Sequence, residues 1–106
     1  MKKILIPLLA FGGALALQPA LAEDGDALYK TKGCTVCHAV DSKLVGPSYK
    51  DVAAKYAGQK DAVDKLAVKI MKGGSGVWGP VPMPAQAALS DADAKTLAGW
   101  VLAGAK

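Results

Sequence analysis

The sequence predicts an all-α domain of about four short helices, and two observations carry that expectation. Apolar residues recur with helical spacing in two windows, Val63, Leu66, Ala67 and Ile70 in one and Ala94, Leu97, Ala98, Val101 and Leu102 in the other. No stretch alternates apolar and polar residues with a period of two, and there is no repeat or low-complexity segment. In chain order, Asp24 to Lys32 reads as a first helix, with acids at its start and lysines at its end matching the helix dipole. Lys43 to Ser48, which contains Gly46-Pro47, reads as a turn. Asp51 to Tyr56 is a second helical piece, stopped by Gly58, and Asp61 to Lys72 is a third helix. Gly73 to Pro84 holds four glycines and three prolines within Gly73-Gly74-Ser75-Gly76-Val77-Trp78-Gly79-Pro80-Val81-Pro82-Met83-Pro84, a composition that forbids helix or central strand. Ser90 then reads as the N-cap of the last helix, with Asp93 three residues on in an acidic variant of the capping box.

Composition is uneven along the chain. Of 106 residues, 52% are hydrophobic and 21% charged, an apolar excess for one small soluble domain. Much of it lies at the start, where Lys2 and Lys3 precede an apolar run from Ile4 to Leu17, followed by Gln18-Pro19 and Ala20-Leu21-Ala22. That is the positive, greasy, small-x-small order of a secretory signal. The run is 14 residues long, short of the roughly 20 that span a bilayer. A signal peptide over residues 1–22, cleaved after Ala22, is therefore expected, with residues 23–106 forming one domain that has no stable membrane anchor. That domain has 11 lysines against 9 acids, a formal charge of +2, and no arginine. Without the guanidinium fork that reads guanine edges or clamps phosphates, nucleic-acid binding has little support. A domain this small often needs a disulfide, a metal or another internal support for its core.

The two cysteines bear on that need. They stand in Gly33-Cys34-Thr35-Val36-Cys37-His38. A disulfide across two intervening residues closes a tiny loop and stabilises little. A thioredoxin-like pair needs a preceding strand and a βαβ frame, which the pattern lacks. A closed zinc site needs four ligands, and Cys34, Cys37 and His38 supply three. The arrangement that uses all three residues is c-type haem attachment, in which each thiol adds to a haem vinyl group and the next residue offers an imidazole to the iron. His38 is the only histidine of the chain, so bis-histidine ligation within one chain is excluded.

A sixth iron ligand has two thioether candidates outside the leader, Met71 and Met83. Met71 lies beside the apolar stripe of the third helix and is expected to pack or to lie at the surface. Met83 sits among prolines that stiffen the chain, so its sulfur is held with little ordering entropy, and it is the expected ligand.

On these residues the sequence closely resembles the small class I bacterial cytochromes c of the cytochrome c-551 type. The likeness runs from Asp24 to Lys106 and is carried by Lys32-Gly33-Cys34-Thr35-Val36-Cys37-His38, Val45-Gly46-Pro47, Gly76-Val77-Trp78-Gly79-Pro80-Val81-Pro82-Met83-Pro84 and Leu97-Ala98-Gly99-Trp100-Val101-Leu102. The resemblance implies the small class I cytochrome c fold around one covalent haem c. It also implies His38 and Met83 as axial ligands, the Pro47 carbonyl as acceptor for the other nitrogen of His38, and the Trp78 indole N–H reaching a haem propionate. Ala85-Gln86 stand where relatives often have a second proline and an asparagine, and Lys69 stands where some have an arginine near a propionate.

With both axial positions filled, the iron has no place for a substrate, and exchange of one electron is what remains. The expectation is a periplasmic monohaem electron shuttle and no enzyme, with redox partner proteins that present an acidic docking surface, because Lys30, Lys32 and Lys43 flank the haem motif. The resemblance suggests a membrane quinol-oxidising complex as donor and nitrite reductase or a cytochrome c oxidase as acceptor, with the carrier a soluble monomer. The alternative is a haem-based ligand-binding sensor or peroxidase-like module in which Met83 dissociates. It needs a distal acid–base group, and the single histidine is already used.

Overall fold

The computed structural model describes residues 24–106, so the expected leader over residues 1–22 and its cleavage after Ala22 lie outside the described residues. Four helices are present: α1 (Gly25–Thr31), α2 (Tyr49–Tyr56), α3 (Ala62–Lys72) and α4 (Asp91–Leu102). A 3-10 turn over Cys34–Val36 follows α1, and a hairpin of β1 (Gly74–Gly76) and β2 (Gly79–Met83) lies between α3 and α4.

Three of the helices begin at side-chain caps. The Asp24 carboxylate accepts the N–H of Ala27 at 2.8 Å, the Ser48 hydroxyl that of Asp51 at 3.1 Å, and the Ser90 hydroxyl that of Asp93 at 3.0 Å. Each satisfies an amide that the first helical turn leaves without a partner. Helix α3 ends at Gly73, whose N–H donates to the Lys69 carbonyl at 2.8 Å with φ at 68°. A side chain there would collide with the carbonyl oxygen of Met83, so the turn from α3 into the hairpin requires glycine twice over.

Helix α4 is the central element and packs against α3, α1 and α2. Its buried face is Ala94, Leu97, Ala98 and Val101, and Leu28 of α1, Val52 of α2 and Leu66, Ala67 and Ile70 of α3 close over it. Leu102, expected on the same face, is only half-buried. Helix α1 approaches α4 closely because Gly25 is buried where any side chain would run into that of Trp100. Among the described residues, no helix is long and apolar enough to cross a membrane.

The hairpin departs from the expected irregular loop. Gly74 pairs with Met83 and Gly76 with Gly79, with an irregularity in register between them. Both strands of an isolated ribbon have a free edge, so Pro80 and Pro82 can lack an N–H without breaking a ladder on a second side. The fold is mostly helical with this one small sheet.

Candidate haem site

The site begins where α1 stops. Gly33 adopts φ 78°, in the left-handed region, and turns the chain into the Cys34–Val36 3-10 segment. The N–H of Cys37 donates to the Cys34 carbonyl at 3.2 Å and that of His38 to the same oxygen at 2.9 Å. One tight turn thus presents both half-buried thiols, each free, and hands the chain on to His38.

His38 is fixed from several directions. Its Nδ1 lies 2.7 Å from the Pro47 carbonyl oxygen. A carbonyl oxygen only accepts, so Nδ1 carries the proton and Nε2 keeps its lone pair for a metal. The Tyr49 ring stacks on the imidazole at 5.0 Å between centroids and 22° between planes. The Tyr29 hydroxyl donates to the His38 carbonyl oxygen at 2.8 Å, and the N–H of Gly46 donates to that of Cys37 at 2.8 Å. Tyr29, Tyr49 and Trp100 form one aromatic cluster beside His38, with centroids 5.2 to 5.8 Å apart.

Electrostatics set the Cys34 thiol apart from the reactive thiol of a redox pair. Burial pushes the Cys34 thiol up, and a hydrogen bond with Tyr49 offsets part of that rise. Burial likewise raises the Tyr49 phenol, with the Cys34 sulfur adding to the effect. A reactive thiol of a disulfide oxidoreductase needs the opposite shift, toward thiolate.

Cys34, Cys37 and His38 line a cavity of about 220 Å³. Leu66, Ile70, Leu97 and Val101 supply its apolar depth, and Pro47, Trp78, Lys43 and Lys69 also border it. Met83 reaches it from β2, between Pro82 and Pro84. Met71 does not line it. That side chain packs against the core, and its backbone carbonyl accepts the N–H of Gln86 at 3.1 Å. The structure therefore brings Cys34, Cys37, His38, Pro47, Trp78 and Met83 to one cavity and leaves Met71 out of it. Two thiols, an imidazole with a free Nε2 and a soft thioether around an apolar slot fit an iron porphyrin attached through the thiols.

Tyr29, Tyr49 and Lys55 escape the sequence reading. The Lys55 Nζ lies 5.4 Å from the centroid of the Trp78 ring. Of the lysines expected to ring the haem edge, Lys43 borders the cavity, whereas Lys30 is ion-paired with Asp26 at 2.9 Å. Lys69, which the resemblance puts where some relatives have an arginine, borders the cavity as well.

A small helical domain that offers these donors to one apolar cavity is a haem-carrying domain. The cytochrome c family model matches residues 22–104, and the chain belongs to the cytochrome c family. It is 61% identical to cytochrome c-551 of Stutzerimonas stutzeri over 102 residues, 96% of this chain and 97% of that protein. It is 59% identical to cytochrome c-551 of Pseudomonas aeruginosa, covering 92% of each chain. The crystal structure of Nitrosomonas europaea cytochrome c552 superposes with a TM-score of 0.70 at 55% identity, covering 72% of this chain and 94% of the other. The protein is a monohaem electron carrier rather than an enzyme, and its cofactor is a c-type haem held covalently through cysteine.

Proposed function

We propose that Cys34 and Cys37 form the two thioethers to the haem, that His38 and Met83 are its axial ligands, and that the protein shuttles single electrons in the periplasm. The proposed donor is a membrane quinol-oxidising complex, and the proposed acceptor is a terminal reductase such as nitrite reductase or a cytochrome c oxidase. The observation that carries the ligand assignment is that His38 and Met83, from opposite halves of the domain, border the same apolar cavity.

When bound, the haem supplies exchange between ferric and ferrous iron. The Pro47 carbonyl holds the His38 ring in one orientation and one tautomer, so Nε2 is ready to ligate without rearrangement. The Met83 thioether is a soft ligand that favours the reduced state, and the apolar side chains around it disfavour the extra positive charge of the oxidised state. Trp78 offers its indole N–H to a propionate, and Lys69 borders the cavity as a cation for the same group. Val36, Val45 and Val81 are exposed around the site, and with Lys43 they suit brief contact with a partner whose docking surface is acidic. The leader read in residues 1–22 supports the periplasmic assignment, and a soluble monomer suits the role of shuttle.

Met83→Ala should abolish the weak far-red sulfur-to-iron band of the ferric protein and open the ferrous site to carbon monoxide, whereas Met71→Ala should do neither. The reverse pattern would transfer the ligand role to the helix methionine.

A further inference from the structure

The hairpin that carries Met83 is fastened at its base. The N–H of Gly73 donates to the Lys69 carbonyl at 2.8 Å, that of Gln86 to the Met71 carbonyl at 3.1 Å, and Gly73 packs against the backbone of Met83, Pro84 and Ala85. Its tip is different. Trp78 sits there between Gly76 and Gly79, whose φ angles are 105° and 111°, and the residue is 41% exposed. The Lys55 ammonium, in the last turn of α2, lies 5.4 Å from the centroid of that ring. Among the described residues, the ion pairs are Lys30–Asp26 and Lys95–Asp91, so Lys55 is not drawn to a carboxylate instead.

We propose that Lys55 latches the hairpin tip to α2, and that this latch sets how readily the Met83 thioether yields to an outside ligand. The proposal rests on Met83 being an iron ligand. An ammonium over the face of an indole is attracted by the ring quadrupole, and the attraction is strongest at tryptophan. Pro80, Pro82 and Pro84 fix φ along β2 and beyond it, so movement at the tip is passed along the strand to Met83 rather than absorbed on the way. Trp78 and Met83 both border the haem cavity, and Lys55 does not. Lys55 is therefore a positioning residue that acts through Trp78.

The test uses the ferric holoprotein and imidazole as the displacing ligand, with loss of the far-red band as the signal. At saturating imidazole the limiting rate reports release of the thioether. Lys55→Met, which keeps the apolar stem and removes the charge, should raise that rate about three-fold. Lys55→Arg should return it to the wild-type value, because a guanidinium also stacks on an indole. Helical circular dichroism should be unchanged in both variants, since Lys55 is exposed. In a Trp78→Leu background, Lys55→Met should add nothing. A Lys55→Met rate equal to wild type, a Lys55→Arg rate equal to that of Lys55→Met, or the same increment in the Trp78→Leu background would each overturn the latch. A far-red band that survives Met83→Ala would overturn the ligand assignment and the latch together, whereas a band that depends on Met83 with an exchange rate indifferent to Lys55 overturns the latch alone.

Discussion

A Cβ atom on Gly46 would stand 2.5 Å from Cε1 of His38, so the absence of a side chain at residue 46 is what allows the imidazole its place against Pro47. Gly46→Ala must push either the ring or the turn aside. Forcing a carbon into a packed site costs typically about 1–3 kcal/mol, and denaturant unfolding of the holoprotein should show a loss in that range. The proton nuclear magnetic resonance lines of the His38 ring should move as well. Unfolding indistinguishable from wild type would mean that the turn relaxes without strain.

Tyr49 separates the part played by ring packing beside His38 from that of its own hydroxyl. Its ring is buried, stacks on His38 and meets both Tyr29 and Trp100, while its hydroxyl is coupled electrostatically to the Cys34 sulfur. Tyr49→Phe keeps the ring contacts and should cost about 1 kcal/mol, the usual worth of one hydrogen bond. Tyr49→Ala removes the ring and should cost about 3–5 kcal/mol. Equal costs in the two variants, measured by denaturant unfolding, would show that the hydroxyl rather than the stack holds the residue.

What the sequence disclosed follows from how local each signal is. The stripes in α3 and α4 were legible because a buried helical face repeats within a few residues, and the Ser90 cap because its partner is three residues away. Helix α2 starts at Tyr49 rather than at the expected Asp51, since Ser48 supplies the cap and the two residues after it already belong to the first turn. The hairpin was hidden because proline and glycine erase the period-two pattern that announces a strand. Motif chemistry singled out Cys34, Cys37, His38 and Met83, and the fold brings all four to one cavity. Tyr49 and Lys55 were not legible, because their contacts with His38 and Trp78 exist only once α2 is laid beside the cavity, and no spacing along the chain encodes that placement.

Covalent attachment has a direct consequence in mass. If Cys34 and Cys37 both carry thioethers, the mature holoprotein should show the mass of one added haem, and the haem should stay with the protein in acidified solvent. Cys34→Ala should retain attachment through Cys37 alone and shift the visible absorption of the reduced form, as expected when one vinyl group remains unsaturated. Haem extracted by acid butanone from the unaltered protein would refute attachment at either cysteine.

Encounter with an acidic partner should depend on which lysines keep a free charge at the site. Lys43 borders the cavity, whereas Lys30 is ion-paired with Asp26 at 2.9 Å and its ammonium is held more basic by that carboxylate. Electron transfer to an acidic acceptor should slow as ionic strength rises, because screening shortens to about 8 Å at physiological salt. The slope should be shallow, since the domain that follows the expected leader has a formal charge of only +2. Lys43→Glu should lower the second-order rate more than Lys30→Glu does, with the redox potential nearly unchanged, because a solvated charge at the rim acts on association rather than on the iron. Equal slowing by the two substitutions would show that net charge alone governs the encounter. A rate indifferent to salt and to both substitutions would leave the exposed side chains of Val36, Val45 and Val81 as the surface that guides docking.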